Sequence, residues 1–401
     1  MNTMYQKLMK NFNYSLKISE IFENLLDKED EIKKLEHQYL DKYQWPTFLE
    51  ESSLNFSLGL DFNNWSQGNE NTYFCHWEGC FRDSETSDYF HITFESFKTI
   101  YQKTCILFDM FNLKKNDTIC MFSPTIIQLP IVMSAAISNG IIFAPMSPEN
   151  YKNDIEVKKY LKKFSIIPKL FITIDTFYNG REWMDCKDIL DKTIHNMTEY
   201  DDVKIIVIRH GGPHPGVPPP SYVYIGRRPN YNVTCLINER RDFRWGELMK
   251  NIKIPLTFKI PINKVKPSDM VLFVDCTYIN SIQFLILTFL HKILLKKNCP
   301  LNCLHFVGAP SDCLFFTTQI YALISINKPF LITECYINIK KNSERIKNIF
   351  IDYEPISAGI IYHTSLEKEI IELINSLQKV FITSSDETSG LDKMVNKIIY
   401  S

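Results

Sequence analysis

The sequence predicts an α/β protein built on doubly wound parallel sheets with helices on both faces, and three observations carry that expectation. From Ile92 onward, short apolar runs alternate with helical periods. The runs are near-continuously apolar, as in strands covered on both faces, instead of alternating apolar and polar. After the break Gly211-Gly212-Pro213-His214-Pro215-Gly216-Val217-Pro218-Pro219-Pro220 the same order resumes, which predicts two similar subdomains. The expected boundaries are an N-terminal helical arm over 1–52, a first α/β subdomain over 53–210, a proline-rich loop and linker over 211–262, and a second α/β subdomain over 263–401.

Each element has its own warrant. In the arm, Glu29 to Tyr43 keeps a helical period with charge on most faces and stops near Pro46. Thr93 predicts a helix start: its hydroxyl can cap, Glu95 follows in the first turn, and Phe97, Ile100, Tyr101, Cys105, Phe108 and Phe111 return at helical spacing as far as Asn112. A strand over Thr118 to Phe122 comes next. Ser123-Pro124 then predicts another helix start, because the missing proline N–H is harmless in a first turn; Ile127, Ile131, Met133 and Ala135 face inward. A strand at 141–144, a helix at 154–164, a strand at 170–174, a helix at 186–196 and a strand at 204–208 complete the first series. The second series reads strand 270–275, helix 281–296, strand 303–307, helix 312–325, strand 330–333, helix 344–350, strand 358–362, helix 365–377, strand 380–383 and a terminal helix 392–399.

Composition excludes several classes. Lysine and arginine total 45 against 46 aspartates and glutamates, so no basic footprint marks a nucleic-acid or anionic-membrane partner. The eleven cysteines are dispersed, with Cys75/Cys80 and Cys299/Cys303 the closest pairs and no C-x-x-C, which excludes a zinc ribbon or dithiol motif and predicts reduced thiols. No apolar leader precedes a cleavage site, and the apolar stretch Ile282 to Leu290 is far shorter than the roughly 20 residues a spanning helix requires. The expectation is a cytoplasmic protein with neither membrane nor nucleic-acid partner.

Four constellations bear on chemistry. His76-Trp77-Glu78 sits on a strand whose alternation puts His76 and Glu78 on one face, as a cross-strand surface pair. His210 and His214 flank Gly-Gly-Pro in a loop without a third metal ligand. Ser384, Ser385 and Asp386 lack a neighbouring histidine and any G-x-S-x-G elbow. Arg227-Arg228 and Arg240-Arg241 with Arg244 form a local basic patch near Trp245, which either receives a phosphate or solubilises a loop. No catalytic or metal-ligating residue is assigned.

A resemblance adds to this reading. Ile92-Thr93-Phe94-Glu95-Ser96-Phe97, Leu113-Lys114-Lys115-Asn116-Asp117-Thr118 and Met133-Ser134-Ala135-Ala136-Ile137-Ser138-Asn139-Gly140 resemble, in order, the T-Y/F-x-E-L helix start, the K-G-D turn and the A-x-A-x-x-G strand entry of the adenylate-forming acyl-CoA synthetases. Ala144-Pro145-Met146-Ser147-Pro148-Glu149, Phe164 to Leu170 and Phe177-Tyr178-Asn179-Gly180-Arg181-Glu182 are similar to the S-T-S-P-D, F-S-Q-I-x-P-K-L and Y-N-G-K-E stretches of the acetoacetyl-CoA synthetases among them. The resemblance spans roughly residues 50 to 400 and is weak after Arg209. It implies two similar subdomains as in the N-terminal domain of those enzymes, ATP with magnesium and coenzyme A as cofactors, and a ligase reaction joining acetoacetate to coenzyme A.

The same resemblance locates what is missing. The family cradles ATP phosphates with a loop of the form S-S-G-T-T-G-x-P-K, in which glycines let backbone N–H groups approach the anion and a lysine neutralises it. Its serines fall on Asp275 and Cys276, its glycines on Thr277 and Asn280, its proline on Ile282 and its lysine on Gln283, and no glycine occurs from Glu247 to Val307. The degenerate nucleotide positions are therefore Asp275, Thr277, Asn280 and Gln283. A carboxylate at Asp275 repels triphosphate. The family's glutamate for magnesium and its lid lysine would lie past the stretch Phe381 to Glu387, so the second subdomain reads as incomplete. The turn Asn179-Gly180-Arg181 matches the family's coenzyme A contact. The expected protein is an inactive homologue, and the alternatives are a nucleotide- or coenzyme A-binding module, an interaction scaffold of the same fold, or a residual ligase.

Overall fold

A computed structural model describes residues 56–57, 60, 73–79, 88–179, 182–195, 197–211, 235–259, 264–274, 276–281, 283–285, 288, 291–292, 295, 304–334, 357–362 and 379–384. The arm at 1–52, most of the proline-rich loop and the helices expected at 344–350, 365–377 and 392–399 lie outside the described residues.

Chain order in the first series produces a seven-stranded sheet. Its parallel part comprises β4 (Thr118–Phe122), β5 (Ile142–Met146), β6 (Leu170–Ile174), β9 (Lys204–Ile208), β10 (Asp242–Arg244) and β12 (Met270–Val274), and β13 (Thr277–Asn280) closes one edge antiparallel to β12. The order is β10-β9-β6-β4-β5-β12-β13. Asp242–Arg244, inside the stretch read as linker, thus joins this sheet. β4, β5, β6 and β9 are buried along almost their whole length, which is why their sequences are continuous apolar runs.

The helices follow from caps and crossover handedness. α1 (Phe94–Met110) starts where Thr93 Oγ1 accepts from the Ser96 N–H at 3.2 Å, and α3 (Asp154–Lys163) starts where Asn153 accepts from the Glu156 N–H at 3.0 Å. α2 (Gln128–Ser138) begins four residues later than Ser123-Pro124 predicts. The proline in its first turn is Pro130, while Pro124 lies in the bend after β4 and the Thr125 carbonyl there accepts from Trp77 Nε1 at 2.8 Å. α4 spans Cys186–Ile194 and α5 Trp245–Asn251. β4 to β5 steps one way along the sheet and β5 to β6 steps back across β4, so right-handed crossovers place α2 and α3 on opposite faces. α1 packs with α2, and α3 with α4.

A six-stranded sheet forms the second body: β17 (Lys379–Ser384), β16 (Ser357–Tyr362), β14 (His305–Gly308), β15 (Phe330–Thr333), β2 (Tyr73–Gly79) and β3 (Asp88–Thr93) in that order. β2 pairs parallel to β15, with Cys75 opposite Phe330, and carries β3 as an antiparallel edge. Two strands that precede the first series therefore complete the second sheet. α6 (Leu314–Ser325) is buried nearly all round; it packs on β14 and against α2, which packs on β5 and β12, so the α2–α6 contact joins the sheets. Small antiparallel pairs β1 (Phe56–Ser57) with β11 (Lys264–Val265) and β7 (Phe177–Asn179) with β8 (Glu182–Met184) complete the described strands.

Candidate functional site at the strand exits

The exit from β12 is a hairpin. Val274 pairs with Thr277, so the chain reverses between them, and Cys276 takes the left-handed φ of +59° that so tight a reversal requires. Asp275 lies outside the described residues. Thr277 and Asn280, aligned with the glycines of a phosphate loop, are the first and last residues of β13. The backbone N–H of Asn280 donates to Gln283 Oε1 at 3.1 Å while the N–H of Gln283 donates to Asn280 Oδ1 at 2.9 Å. This reciprocal pair is a capping box. It opens a helical stretch described at Ser281, Gln283–Leu285, Thr288, His291, Lys292 and Leu295. Ser281 is buried, and its hydroxyl donates to the carbonyls of Lys266 and Pro267. The residue aligned with the phosphate-binding lysine thus caps a helix, and one aligned with a glycine uses its amide to close the box. β13 carries Asn280 back beside Met270, so the capping box lies at the entry end of β12, away from the strand exit, and these residues do not fit a triphosphate there.

Doubly wound sheets take ligands where neighbouring strand exits leave toward opposite faces. Here that place lies between β4, which leads to α2, and β6, which leads to α4. Ser123 follows β4 and Asp175-Thr176 follow β6; all three are buried, and Ser123 Oγ and Thr176 Oγ1 have no hydrogen-bond partner among the described residues. Asp175 Oδ1 accepts from the backbone N–H groups of Thr176 at 2.7 Å, His210 at 2.8 Å and Gly211 at 2.9 Å, tying the exits of β6 and β9 together. A Cβ at Gly211 would collide with Thr176 Oγ1, so only glycine allows this approach.

The second sheet plugs the crevice. His210 Nε2 meets Glu334 Oε1 at 2.7 Å, with the glutamate side chain fully buried at the end of β15. The Glu334 N–H donates to the Glu78 carbonyl at 2.9 Å, the Trp77 indole packs edge-on to the His210 ring at 5.6 Å, and a Cβ on Gly79 would fall 2.5 Å from Glu334 Oε2. A third tie joins the sheets farther along: Asp312 Oδ2 accepts from Asn150 Nδ2 at 2.9 Å and from the Ser147 N–H at 3.4 Å, and burial raises the Asp312 carboxyl pKa. Three buried carboxylates, Glu78, Asp175 and Glu334, crowd the strand ends. That surrounding disfavours a polyanion.

The other sequence-predicted residues are placed as follows. Asn179 ends β7, opposite Glu182 of β8, and Gly180 and Arg181 lie outside the described residues; beside the turn the Tyr178 and Trp183 rings meet at 4.6 Å. The expected surface pair of His76 and Glu78 is corrected. Glu78 is buried, and His76 stands opposite His91 across the β2–β3 ladder, its pKa lowered to about 4 by burial and by His91. His210, expected in an open loop, is buried against Glu334 because Asp175 holds its backbone. Arg240 and Arg241 precede β10 and Arg244 ends it. Among the described residues no group of three or more histidine, cysteine, aspartate or glutamate side chains is placed to hold a metal ion, and no helix is long and apolar enough to cross a membrane. Sequence reasoning missed Asp175 and Glu334. Each is the first or second polar residue after an apolar strand, a position that the carboxyl-end rule marks as a site candidate.

No family model matches the chain. The acetyl-coenzyme A synthetase of Helicobacter pylori (strain G27) is 32% identical over 120 residues, 28% of this chain and 17% of that enzyme. The acetyl-coenzyme A synthetase of Helicobacter acinonychis (strain Sheeba) is 33% identical over 135 residues, 32% of this chain and 19% of that enzyme. The match therefore spans less than a fifth of the length of these curated relatives. A mutant form of coronafacic acid ligase from Pectobacterium brasiliense is similar in fold with a TM-score of 0.48 and 14% identity, over 68% of this chain and 45% of that one.

Proposed function

We propose that the chain derives from the adenylate-forming acyl-CoA synthetases, carries acetoacetyl-type motifs in its first series, and does not catalyse adenylation. The β12–β13 hairpin carries this reading. Attack of a carboxylate on the α-phosphate of ATP is accelerated almost entirely by positioning and by neutralising phosphate oxygens. Gln283, committed to the capping box with Asn280, supplies no cation, and Asp275 adds a carboxylate. Exchanging a lysine for these lowers the rate on the order of a thousandfold or more. The matches to acetyl-coenzyme A synthetases support the ancestry.

ATP–pyrophosphate exchange by the purified chain with magnesium and acetoacetate, or with acetate, tests the reading. Exchange at background is expected; exchange above it that follows enzyme concentration ends the proposal. A retained coenzyme A contact at Tyr178-Asn179-Gly180-Arg181 is the second reading, favoured by the aromatic pair flanking that turn. Calorimetric titration with coenzyme A decides it, binding without turnover being its signature.

A further inference from the structure

A second concave site lies at the opposite end of the seven-stranded sheet. A cavity of about 700 Å³ is lined by, among others, His195, Asp201, Lys204, Asn238, Arg240 and Arg241. Lys204 begins β9 and Arg241 immediately precedes β10, whereas the crevice residue His210 follows the far end of β9. Five strand residues, about 16 Å, separate the two places.

Two of the lining residues, Asp191 and Arg241, belong to a charge network that is already balanced. Lys187, almost wholly buried on α4, holds Asp191 at 2.6 Å and Asp242 at 2.8 Å. Arg241 completes the square with Nε to Asp242 Oδ1 at 2.8 Å and Nη2 to Asp191 Oδ1 at 2.5 Å. Two cations and two anions cancel. The arrangement fixes the guanidinium plane and leaves its Nη1 without a partner among the described residues. Over this base the groove adds Lys204 and the exposed Arg240, neither in an ion pair among the described residues, against the exposed carboxylate Asp201 and the part-exposed Asp191, which also lines the groove and is held by Lys187 and Arg241. Among the described residues the Lys204 ammonium reaches only the Arg240 carbonyl, at 3.4 Å. An oriented arginine beside two uncommitted cations is the donor set that recognises a phosphate, and the cavity lies within the size range of small-molecule sites.

We propose that this groove binds a phosphate-bearing small molecule of nucleotide size, gripping its phosphate with Lys204, Arg240 and Arg241. The site is independent of the strand-exit crevice and of the function proposed above. It gives the arginine pair of the sequence a ligand.

Calorimetry of the full chain at low salt, with inorganic phosphate and with AMP as probes, tests it. Both are expected to saturate, AMP more tightly. The double variant K204A/R240A, which breaks no ion pair, should weaken both by about tenfold or more. Asp201→Asn should tighten both, and Ser123→Ala at the crevice should leave both unchanged. No saturable binding of either probe, or binding that K204A/R240A leaves intact while its melting curve matches the parent, overturns the proposal. Weakening by Ser123→Ala equal to that by K204A/R240A would place the ligand in the crevice and overturn it as well.

Discussion

The two sheets differ in what they bury besides apolar side chains. In the seven-stranded sheet the described buried charges are matched: Lys187 with Asp191 and Asp242, and Asp175 with three backbone N–H groups. The six-stranded body instead encloses a cluster of bases. His305 and Lys328 are fully buried and His291 nearly so, with Gln319 Nε2 3.1 Å from His305 Nε2. Burial lowers the His291 pKa to about 3; burial, then Lys328 and His291, lowers that of His305 to about 3. Every histidine with a lowered pKa among the described residues, His76 included, belongs to this body. One sheet buries charges that are paired, and the other buries bases whose lowered pKa values keep them neutral at pH 7.

The comparison breaks most visibly on acidification. The folded pKa values of His291 and His305 lie below the unfolded value of 6.5, so between about 3 and 6.5 the unfolded chain binds more protons. Stability is therefore complete above pH 6.5 and drains as pH falls toward 3, by up to about 1.4 kcal/mol per histidine per pH unit. Urea unfolding between pH 7 and 4 should show this slope, and His291→Leu should reduce it by one proton; a flat profile refutes the contrast. Next in size, Phe171→Ala in β6, fully buried, should destabilise by about 3–5 kcal/mol equally at pH 7 and pH 5. At the junction of the sheets, Glu334→Gln keeps the shape and removes the charge facing His210, a loss of about 1–3 kcal/mol in the same assay. Smallest is Asn280→Ala, which deletes half of a capping box for about 1 kcal/mol; a change above about 2 would mean that Asn280 does more than cap.

Legibility followed the range of the interactions. Strands at 118–122, 170–174 and 204–208, and the Thr93 cap, were readable because continuous apolar runs and a hydroxyl at a helix start are local signals. Pro124 misled by four residues because a second proline, Pro130, satisfied the same rule deeper in the segment. The aligned phosphate-loop positions could be named from sequence, yet the hairpin could not, since it depends on β13 finding β12. Glu78 was read as a surface group and His210 as a loop residue because nothing near them in sequence announces Glu334. The groove at Arg240 and Arg241 was legible as a basic patch. One of the two partners that orient Arg241, Asp191, comes from α4, about 50 residues earlier.

β2 also has to wait for its partner. Its parallel neighbour β15 is made about 255 residues later, and until Phe330 leaves the ribosome the β2–β3 ribbon holds Phe74 and Trp77 with no strand on that flank. The first winding of the chain can close on itself in the meantime, as most of its strands lie between residues 118 and 208. Synthesis thus divides the molecule in time as well as space, and a chain arrested before residue 330 would display its stickiest ribbon to whatever chaperone meets it first.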